Sequence, residues 1–173
     1  MLALAALFLA SASADAPPAL TFESPWWERF TFTMTGDGTQ QACSYQSNLD
    51  SSGTQSCGDD PSSAPMQHHA SAGGGSYTKI TVERRFTPGA RPDPLSVQAG
   101  DTLLGGQVLA LAIDQGGAVQ ACKVVGAQGD LTPPYGCDEA KTEKFDATAH
   151  HSTAPVRHAF MTVLVYGHEE YPV

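Results

Sequence analysis

Basic residues and long apolar runs are both scarce in this sequence. Lysine and arginine together number 9, against 18 aspartates and glutamates, and the formal net charge is −9. Surfaces that bind nucleic acids or anionic lipids neutralise negative charge with clustered lysine and arginine, so we expect no nucleic-acid partner. Beyond the first ten residues, no run approaches the roughly 20 apolar residues of a membrane helix, so we expect no membrane span in the mature chain.

The sequence also lacks the common motifs of catalytic sites. The sequence contains no Gly-x-Ser-x-Gly turn and no His-Glu-x-x-His helix. The glycines at 73–75 are not followed by Lys-Ser or Lys-Thr, which excludes a phosphate-binding loop. Several aspartates stand near glycine or serine and are typical of turns. We therefore predict a protein that is not an enzyme and uses no cofactor, with a hydrolase of unrecognised type as one alternative.

The N-terminus has the pattern of a secretory leader. Residues 2–10 form an apolar run, and the small residues Ala12-Ser13-Ala14 follow it as in a cleavage site. This pattern predicts a signal peptide over residues 1–14 and a mature protein that is periplasmic or secreted. The four cysteines agree with an oxidising compartment. The alternative is an apolar N-terminus of a cytosolic protein.

Glycine, proline, serine and threonine are abundant and strong helix formers are few, which predicts a strand-rich chain. Several apolar or alternating segments are bounded by turn residues. These segments predict strands over residues 28–35, 40–47, 77–86, 105–114, 118–127 and 154–166. A helix is predicted for 138–145, where acidic residues come first and lysines come late. Residues 51–76 are predicted to form a long loop.

The same pattern occurs twice along the chain. Cys43 and Cys122 each follow Gln-Ala, and their residue numbers differ by 79. At that offset the apolar residues of the first strand fall on apolar residues of the fourth: Phe30, Phe32 and Met34 on Leu109, Leu111 and Ile113. The repetition predicts an α+β fold of two similar small lobes, each a strand–turn–strand–connection–strand unit. We place the lobes at 15–86 and 101–173, with a proline-rich linker at 87–100.

Four cysteines allow three disulfide pairings. The repetition favours Cys43–Cys57 and Cys122–Cys137, whose separations are 14 and 15 residues. Such a crosslink contributes about 3 kcal/mol when loop entropy alone is counted. The alternative is a metal site, although zinc knuckles space their cysteines by roughly two to four residues. The sequence has no Cys-x-x-Cys motif of the kind found in redox-active pairs.

Two histidine pairs carry the alternative of a periplasmic metal-binding protein. His68-His69 and His150-His151 can supply imidazole ligands to zinc or copper if the fold brings the pairs together. Adjacent residues of a strand point to opposite faces, so a single pair is a poor chelate. The other interpretation is histidines of solvated loops. His150 and His151 are the candidate metal ligands.

Two further residue pairs suggest local contacts. Of Trp26-Trp27, we expect one ring in the core and the other exposed as a contact for a ligand or partner. Arg84-Arg85 is expected to face the acidic loop at Asp59-Asp60, where a surface ion pair contributes little to stability.

The segment from about Gly105 to Tyr166 resembles the C-terminal domain of TonB-family proteins. The residues that carry the resemblance are Gly116-Gly117 in a turn, Val124-Val125 on a strand, Phe145 at a helix end, and Pro155-Val156 before a last strand with Val163-Leu164-Val165. The first half of the chain follows the same outline. The fold that the resemblance implies is the unit described above, with a helix as the connection in the second half and a loop as the connection in the first.

The resemblance also implies a role. Family members pair, through an exposed strand, with a short segment of an outer-membrane transporter. We therefore expect a periplasmic protein-binding or adaptor module whose partner lies in the cell envelope, an outer-membrane protein being one candidate. A short sheet with an open edge accepts an added strand by backbone hydrogen bonding. A homodimer formed by strand exchange stays open.

Overall fold

The computed structural model describes residues 20–35, 39–51, 53–57, 77–89, 92, 94–146 and 155–168. Within these ranges the chain forms nine strands and one helical turn. They are β1 (Leu20–Thr21), β2 (Trp26–Met34), β3 (Gln40–Ser47), β4 (Gln55–Ser56), β5 (Lys79–Pro88), β6 (Asp101–Asp114), β7 (Val119–Gly129), α1 (Cys137–Ala140), β8 (Phe145–Asp146) and β9 (Val156–His168). The protein is strand-rich, as its composition predicts.

Seven strands form one antiparallel sheet, in the order β4-β3-β2-β5-β9-β6-β7. β1 and β8 form a separate parallel pair, in which Leu20 lies opposite Phe145. At the centre of the sheet, β5 pairs with β9 along the whole length of β5. β5 ends at Pro88, two residues into the predicted linker. The N-terminal half (residues 20–89) and the C-terminal half (residues 94–168) therefore share one continuous sheet.

The two halves use the same strand arrangement. In the N-terminal half β2 lies between β3 and β5, and in the C-terminal half β6 lies between β7 and β9. Residues that pair across strands in the first half have counterparts 79 positions later that pair in the second. Phe32–Cys43 corresponds to Leu111–Cys122, and Phe30–Val82 corresponds to Leu109–Met161. The offset seen between the cysteines thus also describes the strand register.

An irregularity of the sheet recurs at the same offset. The pairing of β2 with β3 shifts between Thr33 and Met34, and the pairing of β6 with β7 shifts between Ala112 and Ile113. A bulge of this kind inserts an unpaired residue and increases the local twist of the strand. The two hairpins therefore bend at equivalent places, close to their turns.

The core covers one face of the sheet, here called the core face. Leu109 on β6 and Met161 on β9 are fully buried there. The segment 130–146 crosses this face and adds Phe145 to the same cluster. A second cluster around Phe32 continues the core beneath the N-terminal half. Burial of each such large apolar side chain contributes about 1.5–3 kcal/mol.

The two adjacent tryptophans lie on opposite faces of β2. Trp26 is 2% exposed, and its ring stacks on Phe86 with the ring centres 5.4 Å apart. Its indole N–H donates to the carbonyl of Thr21 at 2.9 Å. Trp27 is half-buried, with the guanidinium of Arg29 lying 5.0 Å from its ring centre. One ring therefore belongs to the core, as expected, and the other is only partly accessible.

The helix is shorter than the sequence predicts. In place of a helix over 138–145, α1 is a single turn, after which the N–H groups of Thr142 and Glu143 donate three residues back instead of four. Phe145 is 1% exposed and belongs to β8, opposite Leu20. Burial of this ring and pairing in β8 outweigh the helix preference of the neighbouring glutamates and lysines, because propensity is a weak local term.

Candidate functional site

Strand β7 ends the sheet in the C-terminal half, and its outer side is here called the β7 edge. Among the described residues, β7 pairs with β6 alone. Val124 is 45% exposed and Val125 is 51% exposed, and they are two of the three large apolar side chains exposed in the described ranges. An exposed edge strand with apolar side chains is a template for pairing with another chain.

The chain itself covers part of the other edge of the sheet. β4 pairs with β3 and brings Gln55 opposite Tyr45. Cys57, which follows β4, donates its N–H to the carbonyl of Cys43 at 3.3 Å. The same two cysteines form a disulfide with a Cα–Cα distance of 5.5 Å. β4 is therefore a short strand added to an edge and fastened there covalently.

The β7 edge has the same backbone direction as the covered part of β3. In an antiparallel ladder, the N–H and C=O of one residue point to the same neighbour, and residues two apart point the same way. Cys43 and Tyr45 face β4, so their counterparts 79 positions later, Cys122 and Val124, direct their backbone groups away from β6. The backbone N–H and C=O of Val124 therefore point away from β6, whereas those of Tyr45 point towards β4.

A disulfide and a tight turn hold β7 in place. Cys122 is bonded to Cys137 at the start of α1, with a Cα–Cα distance of 5.4 Å. In the turn between β6 and β7, Gly117 has a φ of +84°, and a Cβ there would lie 1.9 Å from the carbonyl oxygen of Phe145. Only glycine fits so close an approach. The β7 edge is therefore pre-formed, which lowers the entropic cost of binding a partner.

Asp114 closes the same turn. Its Oδ1 accepts the N–H of Ala118 at 2.9 Å, and its Oδ2 accepts the side-chain N–H of Gln120 at 2.7 Å. These hydrogen bonds lower the pKa of the Asp114 carboxyl, because they stabilise the ionised form. Asp114 therefore acts as a turn residue, the role that the sequence predicts for it.

The charge of β7 differs from that of the protein as a whole. Lys123 is the only charged residue of β7, and the strand contains no aspartate, glutamate or proline. The chain as a whole has a formal charge of −9. Edge strands that avoid pairing usually carry charges or prolines. β7 carries one such charge in eleven residues and no proline, so this protection is slight.

A buried ion network joins the N-terminal half to the segment 130–146. Arg84 binds the carboxylates of Glu28 and Glu143, and its guanidinium lies 4.3 Å from the ring centre of Tyr135. Burial alone would lower the pKa of Arg84, but the two carboxylates outweigh burial and raise it. The Tyr135 hydroxyl donates to Glu143 at 2.6 Å, and burial together with that carboxylate raises the pKa of the phenol. Each charged group of this network therefore has a partner, and the contacts link β2 and β5 to the segment 130–146.

The contact expected between Arg84-Arg85 and Asp59-Asp60 stays a prediction, because Asp59-Asp60 lie outside the described residues. Within the described residues the two arginines bind other carboxylates. Arg84 binds Glu28, and Arg85 donates to Glu83 at 2.6 Å. One signal in the sequence points to the first contact. Glu28 occupies one of the alternate positions of its strand that are otherwise apolar, and a charged group at such a position requires a buried partner.

The histidine pairs are not part of the described structure. His68, His69, His150 and His151 all lie outside the described residues. Within the described ranges, no group of three or more histidine, cysteine, aspartate or glutamate side chains could hold a metal ion. His168 lies 3.0 Å from Asp101 at the surface, which is a two-residue contact.

Three further observations concern the setting of the β7 edge. In the described part of the chain, no helix has the length and apolar character required to cross a bilayer. The two cysteine pairs at bonding distance are typical of proteins outside the cytosol. No protein-family model, curated protein or solved structure matches this sequence.

Proposed function

We propose that this protein is an exported, periplasmic binding module that captures an extended segment of a cell-envelope protein as an additional strand on the β7 edge. The observation that carries the proposal is the contrast between two equivalent strands. β3 is partly covered by β4, and β7 is paired on one side only among the described residues. Backbone hydrogen bonds to an edge strand supply affinity, and alternate side chains supply specificity.

β4 supports the proposal as a precedent within the same chain. Its two residues, Gln55–Ser56, pair antiparallel with β3 although neither is apolar. The disulfide between Cys43 and Cys57 gives this short strand a high effective concentration. A separate partner has no such tether, so it requires a longer ladder and apolar contacts. β7 offers eleven residues and the exposed side chains of Val124 and Val125.

The resemblance to TonB C-terminal domains supports the same role. In the C-terminal half the hairpin β6–β7 is followed by the turn α1, the short strand β8 and the strand β9. This order resembles that of the family, with the helix reduced to one turn and β8 added. Strands β2, β3 and β5 repeat the strand part of this order in the N-terminal half. The third strands of the two units, β5 and β9, pair with each other at the centre of the sheet. The proposed binding strand is therefore β7, at the end of the sheet.

The side chains of β7 define the expected partner segment. Val124 and Val125 require apolar or β-branched side chains opposite them, because such cross-strand pairs stabilise a sheet. Lys123 favours an acidic side chain at the facing position. The leader-like residues 1–14 and the two disulfides support a location outside the cytosol, where envelope proteins expose such segments.

A photo-crosslinking amino acid at position 124 tests the proposal. The control carries the same group at position 156, because Val156 is also exposed, at 38%, but lies on β9. The mature protein is mixed with an envelope extract from cells that make it, and crosslinked products are identified by mass spectrometry. We expect a crosslinked protein from position 124 that is absent from position 156. Its yield should fall at least tenfold with Val125→Lys and stay unchanged with Val156→Lys.

Two outcomes would contradict the proposal. Equal crosslinking from positions 124 and 156 would show that contact is not confined to the β7 edge. Products that contain only two copies of this chain would assign the edge to a homodimer.

A further inference from the structure

The face of the sheet opposite to the core face, here called the outer face, carries a cavity of about 380 Å³ beside β2 and β5. Its lining includes four residues of this face, Trp27, Arg29, Glu83 and Arg85, and the core residues Trp26 and Phe86. Trp27 lies opposite Arg85 in the ladder, and Arg29 lies opposite Glu83. The four side chains thus come from two successive cross-strand pairs of one face. The volume lies within the roughly 300–1,000 Å³ of small-molecule sites.

Glu83 is the buried centre of this cluster. Its side chain is 3% exposed. Its Oε2 accepts hydrogen bonds from Arg29 Nε at 3.0 Å and from the Tyr166 hydroxyl at 2.8 Å, and its Oε1 accepts one from Arg85 Nε at 2.6 Å. Burial would raise the pKa of Glu83, but the hydrogen bonds from Arg85 and Tyr166 and the charges of the two arginines outweigh burial and lower it. The carboxylate is therefore ionised and fully engaged.

The cluster has a surplus of positive charge. Two guanidinium groups surround one carboxylate, which leaves one positive charge in a chain whose formal charge is −9. Arg85 binds Glu83 through Nε, and no hydrogen bond from the described residues reaches its two Nη atoms. The side chain of Arg85 is 24% exposed and that of Arg29 is 29% exposed. The paired Nη donors of Arg85 are accessible and match the geometry of a carboxylate.

The C-terminal half has the same place in the sheet, filled differently. The counterparts of the four lining residues, 79 positions later, are Gly106, Val108, Thr162 and Leu164, and they form the equivalent cross-strand pairs. Leu95 packs there, because a Cβ on Gly106 would lie 3.1 Å from Leu95 Cδ2 and 3.2 Å from Leu164 Cδ2. The fold therefore closes this place with small and apolar residues, and the strand arrangement does not require a charged cluster.

We infer that the cavity binds a small molecule that carries a carboxylate on a flat, apolar body. The carboxylate accepts two hydrogen bonds from the Nη atoms of Arg85. The flat body lies against the ring of Trp27, whose cation contact with Arg29 already fixes its orientation. Glu83 holds both arginines in position and does not touch the ligand. This site lies on the outer face and is independent of the β7 edge.

Nuclear magnetic resonance of the tryptophan indole N–H groups tests this site with benzoate as the probe. Trp27 reports on the cavity. The backbone amide of Leu111, a buried residue of β6 that does not line the cavity, serves as an internal reference. We expect benzoate to shift the Trp27 signal in a saturable manner and to leave the Leu111 amide signal in place. Benzamide has the same ring without the charge, and it should bind at least tenfold more weakly.

Variants separate the cavity from general charge effects. Arg85→Gln should weaken benzoate binding at least tenfold, and Arg85→Lys should weaken it several-fold, because lysine keeps the charge beside Glu83 and loses the paired donors. Lys144→Gln removes the same charge at an exposed position outside the cavity and should leave benzoate binding unchanged. Arg85→Lys keeps an ion pair for Glu83, so it answers the question even if Arg85→Gln is poorly folded.

Five results would overturn the inference, four of them with small probes and one with a peptide. The first four are the absence of a saturable shift, equal binding of benzoate and benzamide, equal binding of benzoate by the protein and by Arg85→Lys, and displacement of benzoate by equimolar sulfate, which would indicate a site for anions in general. A peptide with a free C-terminal phenylalanine that binds more tightly than benzoate would also overturn it, because the site would then recognise protein C-termini.

Discussion

β3 and β7 occupy equivalent positions in the two halves of one sheet, and within the described residues an added short strand, β4, lies against β3 and none lies against β7. The outer face shows the opposite contrast. In the N-terminal half it carries an open cavity with two arginines, and in the C-terminal half Leu95 covers the equivalent place over Gly106. In the described part of the chain, the two halves therefore share one strand arrangement and differ in what they leave uncovered, the β7 edge in one and the outer-face cavity in the other.

The contrast separates residues that build the frame from residues that distinguish the halves. The frame depends on the apolar phase of the strands, on the repeated bulge and on one disulfide in each half. Some positions outside this set differ between the halves although β2–β5 and β6–β9 keep the same pairing there. Trp27 and Gly106, for example, hold equivalent places in the two ladders. Specific binding surfaces are expected among such positions, because the fold leaves them free to vary.

Replacement of Arg84 should have the largest effect on stability among the variants that compare the halves. Its counterpart in the C-terminal half is the apolar residue Val163. Arg84→Val leaves the carboxylates of Glu28 and Glu143 buried without their cation, which should lower the free energy of unfolding by about 3–5 kcal/mol. Urea unfolding under non-reducing conditions measures the change. Lys144→Val, at an exposed position, is the control and should change stability by less than about 0.5 kcal/mol.

A double variant sharpens the same comparison. Glu28→Gln combined with Arg84→Val gives the N-terminal half the Gln–Val pair that Gln107 and Val163 form in the other half. It removes one unpaired buried charge, so it should recover at least about 1 kcal/mol relative to Arg84→Val alone. A double variant that is less stable than the single variant would show that the equivalent places do not accept the same residues.

The two disulfides are expected to contribute equally. Their cysteines are separated by 14 and 15 residues, so each closes a loop of nearly the same length. Replacing both cysteines of one pair by alanine should lower the free energy of unfolding by about 3 kcal/mol in either half. Urea unfolding of the two double variants measures this. A difference above about 2 kcal/mol would show that the connections, and not the loop lengths, decide the contribution.

A smaller effect is expected from acid, and it should be specific to the N-terminal half. The pKa of Glu83 is lowered in the folded protein, so its contribution to stability is present above its ordinary pKa of about 4.3 and is lost as the pH falls through the lowered value. Between pH 6 and pH 3, the thermal midpoint of the protein should fall more than that of Glu83→Gln. Asp138→Asn, which removes an exposed carboxylate, should follow the unmodified protein.

Much of the sheet could be predicted because its strands are locally encoded. Alternation of apolar and polar residues, bounded by glycine-rich turns, predicts strands over 28–35 and 40–47, and β2 and β3 cover Trp26–Met34 and Gln40–Ser47. β4 could not be predicted, because two polar residues carry no periodicity. The pairing of β5 with β9 was equally inaccessible, since alternation indicates which face a residue occupies and not which strand lies beside it.

The candidate sites were harder to predict, because their residues come together from distant parts of the chain. Arg84 reaches Glu143 across 59 positions, and Arg29 reaches Glu83 across 54. Lys123 and the adjacent valines are ordinary strand residues in sequence, and their exposure follows from the place of β7 at the end of the sheet. Edge position is a property of the whole topology, so no local pattern announces it.

Amide hydrogen exchange at Tyr45 and Val124 tests the central contrast most directly. In the isolated, monomeric protein, we expect slow exchange at Tyr45, which faces β4, and exchange at least tenfold faster at its counterpart Val124. Addition of the crosslinked partner or its segment should slow exchange at Val124 and leave Tyr45 unchanged. Equal protection of the two amides in the isolated monomer would rule out an open β7 edge, because the edge would then already be covered.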